Sequence, residues 1–213
     1  MRISLAPYAV TSDGLGVTKR RLLFDAGWIQ LYQTIHEVRG RRISWVFCSR
    51  AGRKLGAGTD AVVIVPFVEA AGETKLLVTR EYRIPLGDFE YGFPSGLIDE
   101  GERAEDSAQR ELEEETGYQV KGILEKSPAG LVSSAGLSDE AFQYVFVEAV
   151  PGKGQRLEAA EQIEVLLLSL EDLQSLFERR VLLSSRLWAL CHGYLAAGRF
   201  PELTTGSTEG QQE

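Results

Sequence analysis

Apolar residues fall in short blocks along this chain, and their spacing differs from block to block. Trp28 to Arg50 contains WIQLYQTIHEV and RRISWVFCSR, rich in β-branched and aromatic residues, with Gly40 between them. That pattern predicts two strands joined by a turn. Ala61 to Val68 (AVVIVPFV) is almost continuously apolar, as in a strand buried on both faces. A turn at Ala70 to Glu73 leads into KLLVTREYR, a further strand, and Phe142 to Val150 and Ile163 to Leu168 read as two more. Residues 1 to about 22 are mixed and glycine-containing, and they read as a poorly defined lead-in.

Helical spacing occurs in three places. Ala104, Ala108 and Leu112 recur every fourth residue, which places a helix from about Ala104 to Thr116 with Gly117 as its stop. Ser169 with Asp172 three residues on resembles a capping box before LQSLFERR. Ser185 is expected to cap RLWALCHGYLAAG, a helix that ends at Gly198. The polar tail TTGSTEGQQE reads as disordered.

Length and composition narrow the class. The 213 residues are 44% hydrophobic and 25% charged, which suits one catalytic-sized globular domain with an extension and excludes a disordered chain, a collagen or a coiled-coil rod. A net charge of −8 argues against a general nucleic-acid coat, because phosphate backbones attract basic surfaces. Cys48 and Cys191 are too few and too far apart for a disulfide framework or a zinc site, so they read as reduced, packed thiols. The start, MRISLAPYAV, makes a poor signal peptide, and no window of 18 or more apolar residues exists. The expectation is a cytoplasmic protein with no membrane partner and no nucleic-acid partner. His36 and His192 are isolated in the sequence, and no role is assigned to them.

Residues 96–118, GLIDEGERAEDSAQRELEEETGY, carry nine acidic and two basic residues, a local charge of −7. A charge run usually means a solvated face, but the placement here is specific. Glu111, Glu114 and Glu115 are three and four residues apart, so their carboxylates share one side of the helix. Like charges at those spacings repel, and near a helix C-terminus the macrodipole also opposes them. A bound divalent cation would reverse both penalties. Oxygen ligands without Cys or His point to Mg²⁺ or Mn²⁺. Gly96 and Gly101 bracket LIDE and permit tight backbone geometry there, so a backbone carbonyl can join the ligands. Arg110 can grip a carboxylate in bidentate fashion and fix its direction.

The same segment resembles the Nudix box, G-x5-E-x7-R-E-U-x-E-E-x-G-U. The matching positions are Gly96, Glu102, Arg110, Glu111, Leu112, Glu114, Glu115, Gly117 and Tyr118. Similarity to the ADP-ribose pyrophosphatase branch of that family extends over roughly Trp28 to Leu170. Its carriers are Trp28, Trp45 and Arg50 on the strand pair, Glu81-Tyr82-Arg83 where the branch usually has Gln first, FPSGLIDEGE leading into the box, and GLSDE at Gly136 to Glu140.

The resemblance implies an α/β fold, an α/β/α sandwich around a mixed sheet with an N-terminal antiparallel β extension. It divides the chain into residues 1–55, a β region exchanged in a homodimer, residues 56–200, the hydrolase domain, and residues 201–213, a disordered tail. It implies Mg²⁺-dependent hydrolysis of the diphosphate linkage of ADP-ribose or a related nucleoside diphosphate sugar. Glu111, Glu114 and Glu115 would hold the ion with the Ser95 carbonyl as a further ligand, and Glu102 and Arg110 would support them. Arg50 and Arg83 would bind the diphosphate or terminal sugar, and Trp28 and Trp45 would stack on the base. Glu140 is the first candidate for the general base and Glu161 the second.

Ala135 stands where ADP-ribose enzymes of the branch usually carry proline, about 15 residues beyond the box, and Pro128 lies too early to substitute. Another nucleotide substrate, such as GDP-mannose or a dinucleotide, is therefore the nearest alternative. A non-catalytic nucleotide-sugar sensor and a plain acidic interaction helix are the others.

Overall fold

The computed structural model describes residues 5–6, 17–50 and 58–203. In chain order the elements begin with β1 (Leu5–Ala6), β2 (Val17–Asp25), β3 (Ile29–Val38) and β4 (Arg41–Arg50). Then come β5 (Ala61–Ala70), β6 (Glu73–Arg83), β7 (Asp88–Gly92), β8 (Ser95–Leu97), α1 (Ala104–Thr116) and β9 (Tyr118–Lys126). The rest are β10 (Leu131–Val132), β11 (Ala141–Pro151), β12 (Ile163–Leu168), α2 (Leu170–Phe177), β13 (Leu182–Leu183) and α3 (Ser185–Ala197). They fall into two compact units, residues 1–60 with 129–142 and residues 61–128 with 143–213.

The first unit is built on an antiparallel sheet in the order β1-β2-β3-β4. β3 and β4 pair without interruption from Val38↔Arg41 to Ile29↔Arg50. Arg39 and Gly40 at the turn both have positive φ, 49° and 70°, as a two-residue hairpin requires when its twist matches that of the strands. Of the expected lead-in, residues 1–4 and 7–16 lie outside the described residues, but Val17–Asp25 is a strand paired with β3. Arg20 shows why the alternation was hidden. It is buried, with its guanidinium 3.6 Å from the centre of the Tyr32 ring, so a cation occupies a position that a pattern reading reserves for apolar side chains. Residues 129–142 add β10, paired with the first two residues of β11, and the Cys48 N–H donates to the Leu137 carbonyl at 2.8 Å.

The second unit holds a sheet in the order β11-β5-β6-β7-β13, with β8 on β5, β9 on β11 and β12 on β6. β6 is antiparallel to β5, β7 and β12, whereas β13 runs parallel to β7, so the sheet is mixed. β5 explains the layering. Val62, Ile64 and Val68 lie on one face in a buried cluster with Leu77 of β6 and Ala108 and Leu112 of α1. Phe67, on the other face, meets Tyr194 of α3 edge-on at 5.6 Å and Phe200 at 5.8 Å. Helices therefore cover both faces, the expected sandwich, and a strand coated on both sides has no polar face to show. Burying a side chain such as Ile64 or Leu112 stabilises by about 1.5–3 kcal/mol.

The capping box of α2 is present: the Asp172 N–H donates to Ser169 Oγ at 3.1 Å, and the Asp172 carboxylate accepts from the Ser169 N–H at 2.9 Å. α2 stops at Phe177, short of the expected ERR. α3 begins one residue earlier than expected, with Ser184 rather than Ser185 at the cap, and that side chain makes no capping bond. The polar tail from residue 204 onward lies outside the described residues. Among the described residues no helix is long and apolar enough to cross a membrane.

Candidate active site

Helix α1 supplies the core of the site. Its Ala108–Leu112 stripe is locked into the sheet, so Glu111, Glu114 and Glu115 are carried at fixed angles along the neighbouring side. Gly117 ends the helix in the left-handed region at φ 74°. Glu111, Glu114 and Glu115 line a cavity of about 120 Å³ together with Arg110, Arg156, Glu158 and Glu161. Five carboxylates thus face one small space with two guanidiniums.

Each acid is held differently. Glu115 is 6% exposed, and its carboxylate accepts the Ser95 backbone N–H at 3.1 Å. Burial pushes its carboxyl well above the usual range; the Ser95 N–H pulls it back, while Glu81, Glu111 and Glu161 push it further up. Glu111 is also raised, by burial first, against the pull of Arg110. Its carboxylate lies against the Cα of Gly96, where a Cβ would overlap it. Glycine at 96 is therefore a spatial requirement of Glu111. Glu81 on β6 is raised as well, by burial and then by Glu161 and Glu90, with Arg83 opposing.

Arg110 is the organising cation. Its Nε and Nη2 donate to the two oxygens of Glu102 at 3.1 and 2.9 Å, its Nη1 to Glu111 at 2.6 Å, and its Nη2 also to the Leu97 carbonyl at 3.0 Å. The guanidinium holds the Glu102 carboxyl down at about 2, with help from the Ser107 hydroxyl and the Asp99 N–H. Glu102 is thus a brace, ionised at neutral pH, that fixes Arg110, which in turn fixes Glu111.

Glu158 and Glu161 reach the cavity on an arm, residues 152–162, between β11 and β12. The Gly152 N–H donates to the Gly117 carbonyl at 2.8 Å and the Arg156 N–H to the Glu114 carbonyl at 2.8 Å. Gln155 donates its side-chain amide to the Glu115 carbonyl at 2.7 Å and to the Ile163 carbonyl at 3.0 Å. Carbonyls that a helix end leaves without intrahelical partners are thereby satisfied. Gly117 permits this approach, since a Cβ there would meet the Gly154 backbone at 2.6 Å. The Glu158 N–H then donates to the Glu161 carboxylate at 2.8 Å, which aims that carboxylate.

Among the described residues no three acidic, His or Cys side chains stand close enough to hold an ion as they are. Glu111 is drawn onto Arg110, Glu115 onto the Ser95 N–H and Glu161 onto the Glu158 N–H. The donor chemistry nevertheless fits a hard ion: oxygen ligands only, an excess of negative charge, and carboxyls that burial pushes toward protonation. Ser95, the expected carbonyl ligand, is brought to Glu115 by its own N–H.

The remaining expected site residues separate by unit. In the first unit, Arg50 donates from Nε and Nη2 to one oxygen of Glu140 at 3.0 and 2.6 Å, and its guanidinium lies 5.7 Å from the Trp28 ring. The Trp45 indole N–H donates to the Gly136 carbonyl at 3.1 Å. Trp28 and Trp45 are 66% and 51% exposed, so neither ring is spent on core packing. Here Glu140, the first candidate for the base, is engaged by Arg50. In the second unit, Arg83 spans two strands, donating to Glu81 at 2.9 Å and reaching Glu90 at 3.4 Å. Glu161, the second candidate, is the one lining the cavity of the helical glutamates. Gln155, Arg156 and Glu158 were not singled out by the sequence reading; the glutamate pair three apart in LEAAEQ was the signal available.

The NUDIX domain pattern matches residues 58–187, well over half of the chain. The chain belongs to the Nudix family. A putative Nudix hydrolase of Caenorhabditis elegans is 32% identical over 157 residues, 70% of each protein. The ADP-sugar pyrophosphatase of Mus musculus is 33% identical over 115 residues, 53% of this chain and 52% of that protein. The crystal structure of an ADP compounds hydrolase superposes with a TM-score of 0.65 at 22% identity, over 90% of this chain and all of that one; it shares the Nudix fold. The box residues are thus the Nudix hydrolase motif in its structural setting, a helix whose glutamates face a cavity.

Proposed function

We propose that the chain hydrolyses the diphosphate linkage of ADP-ribose or a related nucleoside diphosphate sugar, giving a nucleoside monophosphate and a sugar phosphate. The observation that carries this reading is the cavity in which Glu111, Glu114 and Glu115 of the Nudix helix meet Glu158 and Glu161 of the arm. The substrate class follows the similarity to the mouse ADP-sugar pyrophosphatase.

Mg²⁺ or Mn²⁺, held by Glu111, Glu114, Glu115 and the Ser95 carbonyl, would neutralise diphosphate oxygens and acidify a bound water. The protein's own groups do the rest. Glu102 and Arg110 keep Glu111 in place. Glu161, aimed by the Glu158 N–H, takes the proton of the attacking water as its oxygen bonds to one phosphorus and the bridging P–O bond breaks. Arg83, braced by Glu81 and Glu90, binds a phosphate or the terminal sugar. Glu140 serves to hold Arg50 beside Trp28, so that Arg50 meets the substrate's charge while Trp28 and Trp45 stack on the base. Residues 1–55 form the region exchanged in a homodimer, residues 56–200 the hydrolase domain, and the enzyme works in the cytoplasm.

A panel of ADP-ribose, other nucleoside diphosphate sugars, GDP-mannose and dinucleotides, assayed with Mg²⁺ and with EDTA, tests the reading. AMP released from ADP-ribose with Mg²⁺, abolished by EDTA and by Glu115→Gln, is the expected result. Binding of one ligand with no turnover of any would make the protein a sensor.

A further inference from the structure

We propose that Gln155 is a positioning residue that holds Glu158 and Glu161 over the glutamates of α1; this rests on the function proposed above. Its side-chain amide bridges two carbonyls, Glu115 at 2.7 Å and Ile163 at 3.0 Å. One belongs to a residue whose carboxylate lines the cavity. The other begins β12, two residues after Glu161. Both partners are acceptors only, so the NH₂ group must face them, and its two hydrogens serve both. A single side chain thus ties the end of the helix to the end of the arm.

The neighbouring contacts give this bridge its leverage. Backbone bonds from Gly152 to Gly117 and from Arg156 to Glu114 anchor the start of the arm. Beyond Arg156 the path to Glu161 is exposed apart from Leu157, and its own bonds join Glu158 to Glu161 rather than to the helix. Gln155 is the point where the far end, through Ile163, is referred to α1. Ile163 is itself fixed opposite Glu81 in the β12–β6 ladder. The Tyr82 N–H also donates to the Gln162 carbonyl at 3.0 Å. From that fixed strand start the bridge ties the arm to α1 and so constrains the separation between the Glu161 carboxylate and the helical glutamates, a distance on which proton transfer depends steeply. Gln155 is a surface residue, so losing its two bonds leaves the core untouched.

Gln155→Met keeps the length and removes both donors; Gln155→Glu keeps the shape and sets carboxylate oxygens against two carbonyls. For both, the expected result is unchanged circular dichroism and a thermal midpoint near wild type. Amide hydrogen exchange over residues 156–163 should be at least tenfold faster, with the protection of α1 retained. With ADP-ribose and Mg²⁺, kcat should fall tenfold or more while KM stays within about twofold. Unchanged exchange over 156–163, or a loss confined to KM, overturns the proposal. If the wild-type protein hydrolyses no nucleotide, the proposed function fails, and the exchange measurement still decides whether Gln155 holds the arm.

Discussion

The carboxylate of Glu111 rests against the Cα of Gly96, in the space where any side chain at residue 96 would begin. A strand that leads into the box and a helix that carries it are thereby fitted to each other at one point. The first glycine of the motif is there because of its sixteenth residue, Glu111.

Gly96→Ala should therefore cost activity far more than stability. The group that must yield is the end of a flexible side chain, so the fold loses at most about 1–3 kcal/mol. The displaced Glu111 carboxylate should lower kcat/KM on ADP-ribose about 100-fold or more. Turnover paired with thermal melts checks this; a variant of near-normal kcat/KM would remove the Gly96–Glu111 contact from the account.

Glu102 links folding to acidity. Its carboxyl lies at about 2 in the folded protein, below the ordinary value of 4.5, chiefly because of Arg110. A carboxyl lowered on folding adds stability in full above the ordinary value, and that addition is lost as pH falls toward 2. The pair is partly exposed, so its worth is no more than about 1 kcal/mol. Urea unfolding of wild type and Glu102→Gln should differ at pH 6 and converge by pH 2. A gap that stays constant over that range would show that Glu102 acts through something other than its charge.

The two candidate bases make opposite forecasts. Glu161→Gln should lower kcat about 10²- to 10³-fold with little change in KM. Glu140→Gln frees Arg50 and should raise KM while kcat stays near wild type. Steady-state kinetics on the best substrate of the panel decides; a collapse of kcat in the Glu140 variant would return the proton-transfer role to that residue.

The strands that turned on local chemistry were legible in the sequence. Arg39-Gly40 closes its hairpin because two successive residues take positive φ, and β5 announced its burial by carrying almost no polar residue. The β2 strand was not legible, because Arg20 is buried against Tyr32 instead of facing water. The box glutamates could be gathered from helical spacing alone, since α1 fixes their geometry locally. Glu158 and Arg156 could not, because what brings them to the cavity is a loop about forty residues along the chain from the helix, which docks on α1 through the Gly152 and Arg156 backbone and the Gln155 side chain. Backbone bonds to carbonyls mark the sequence only at the glycines, since a Cβ at Gly117 would strike Gly154 and one at Gly152 the Gly117 carbonyl; the side-chain link is Gln155, whose amide donates to the Glu115 and Ile163 carbonyls.

That small set of anchors, Gly152, Gln155 and Arg156, has a further outcome for how this protein can be altered. Lys153, Ala159 and Ala160 are exposed on the arm and make none of the bonds that attach it, so they are open to mutational drift and to deliberate redesign. The arm's outer surface can thus be recoloured, larger or more basic, while Glu158 and Glu161 keep their stations at the cavity.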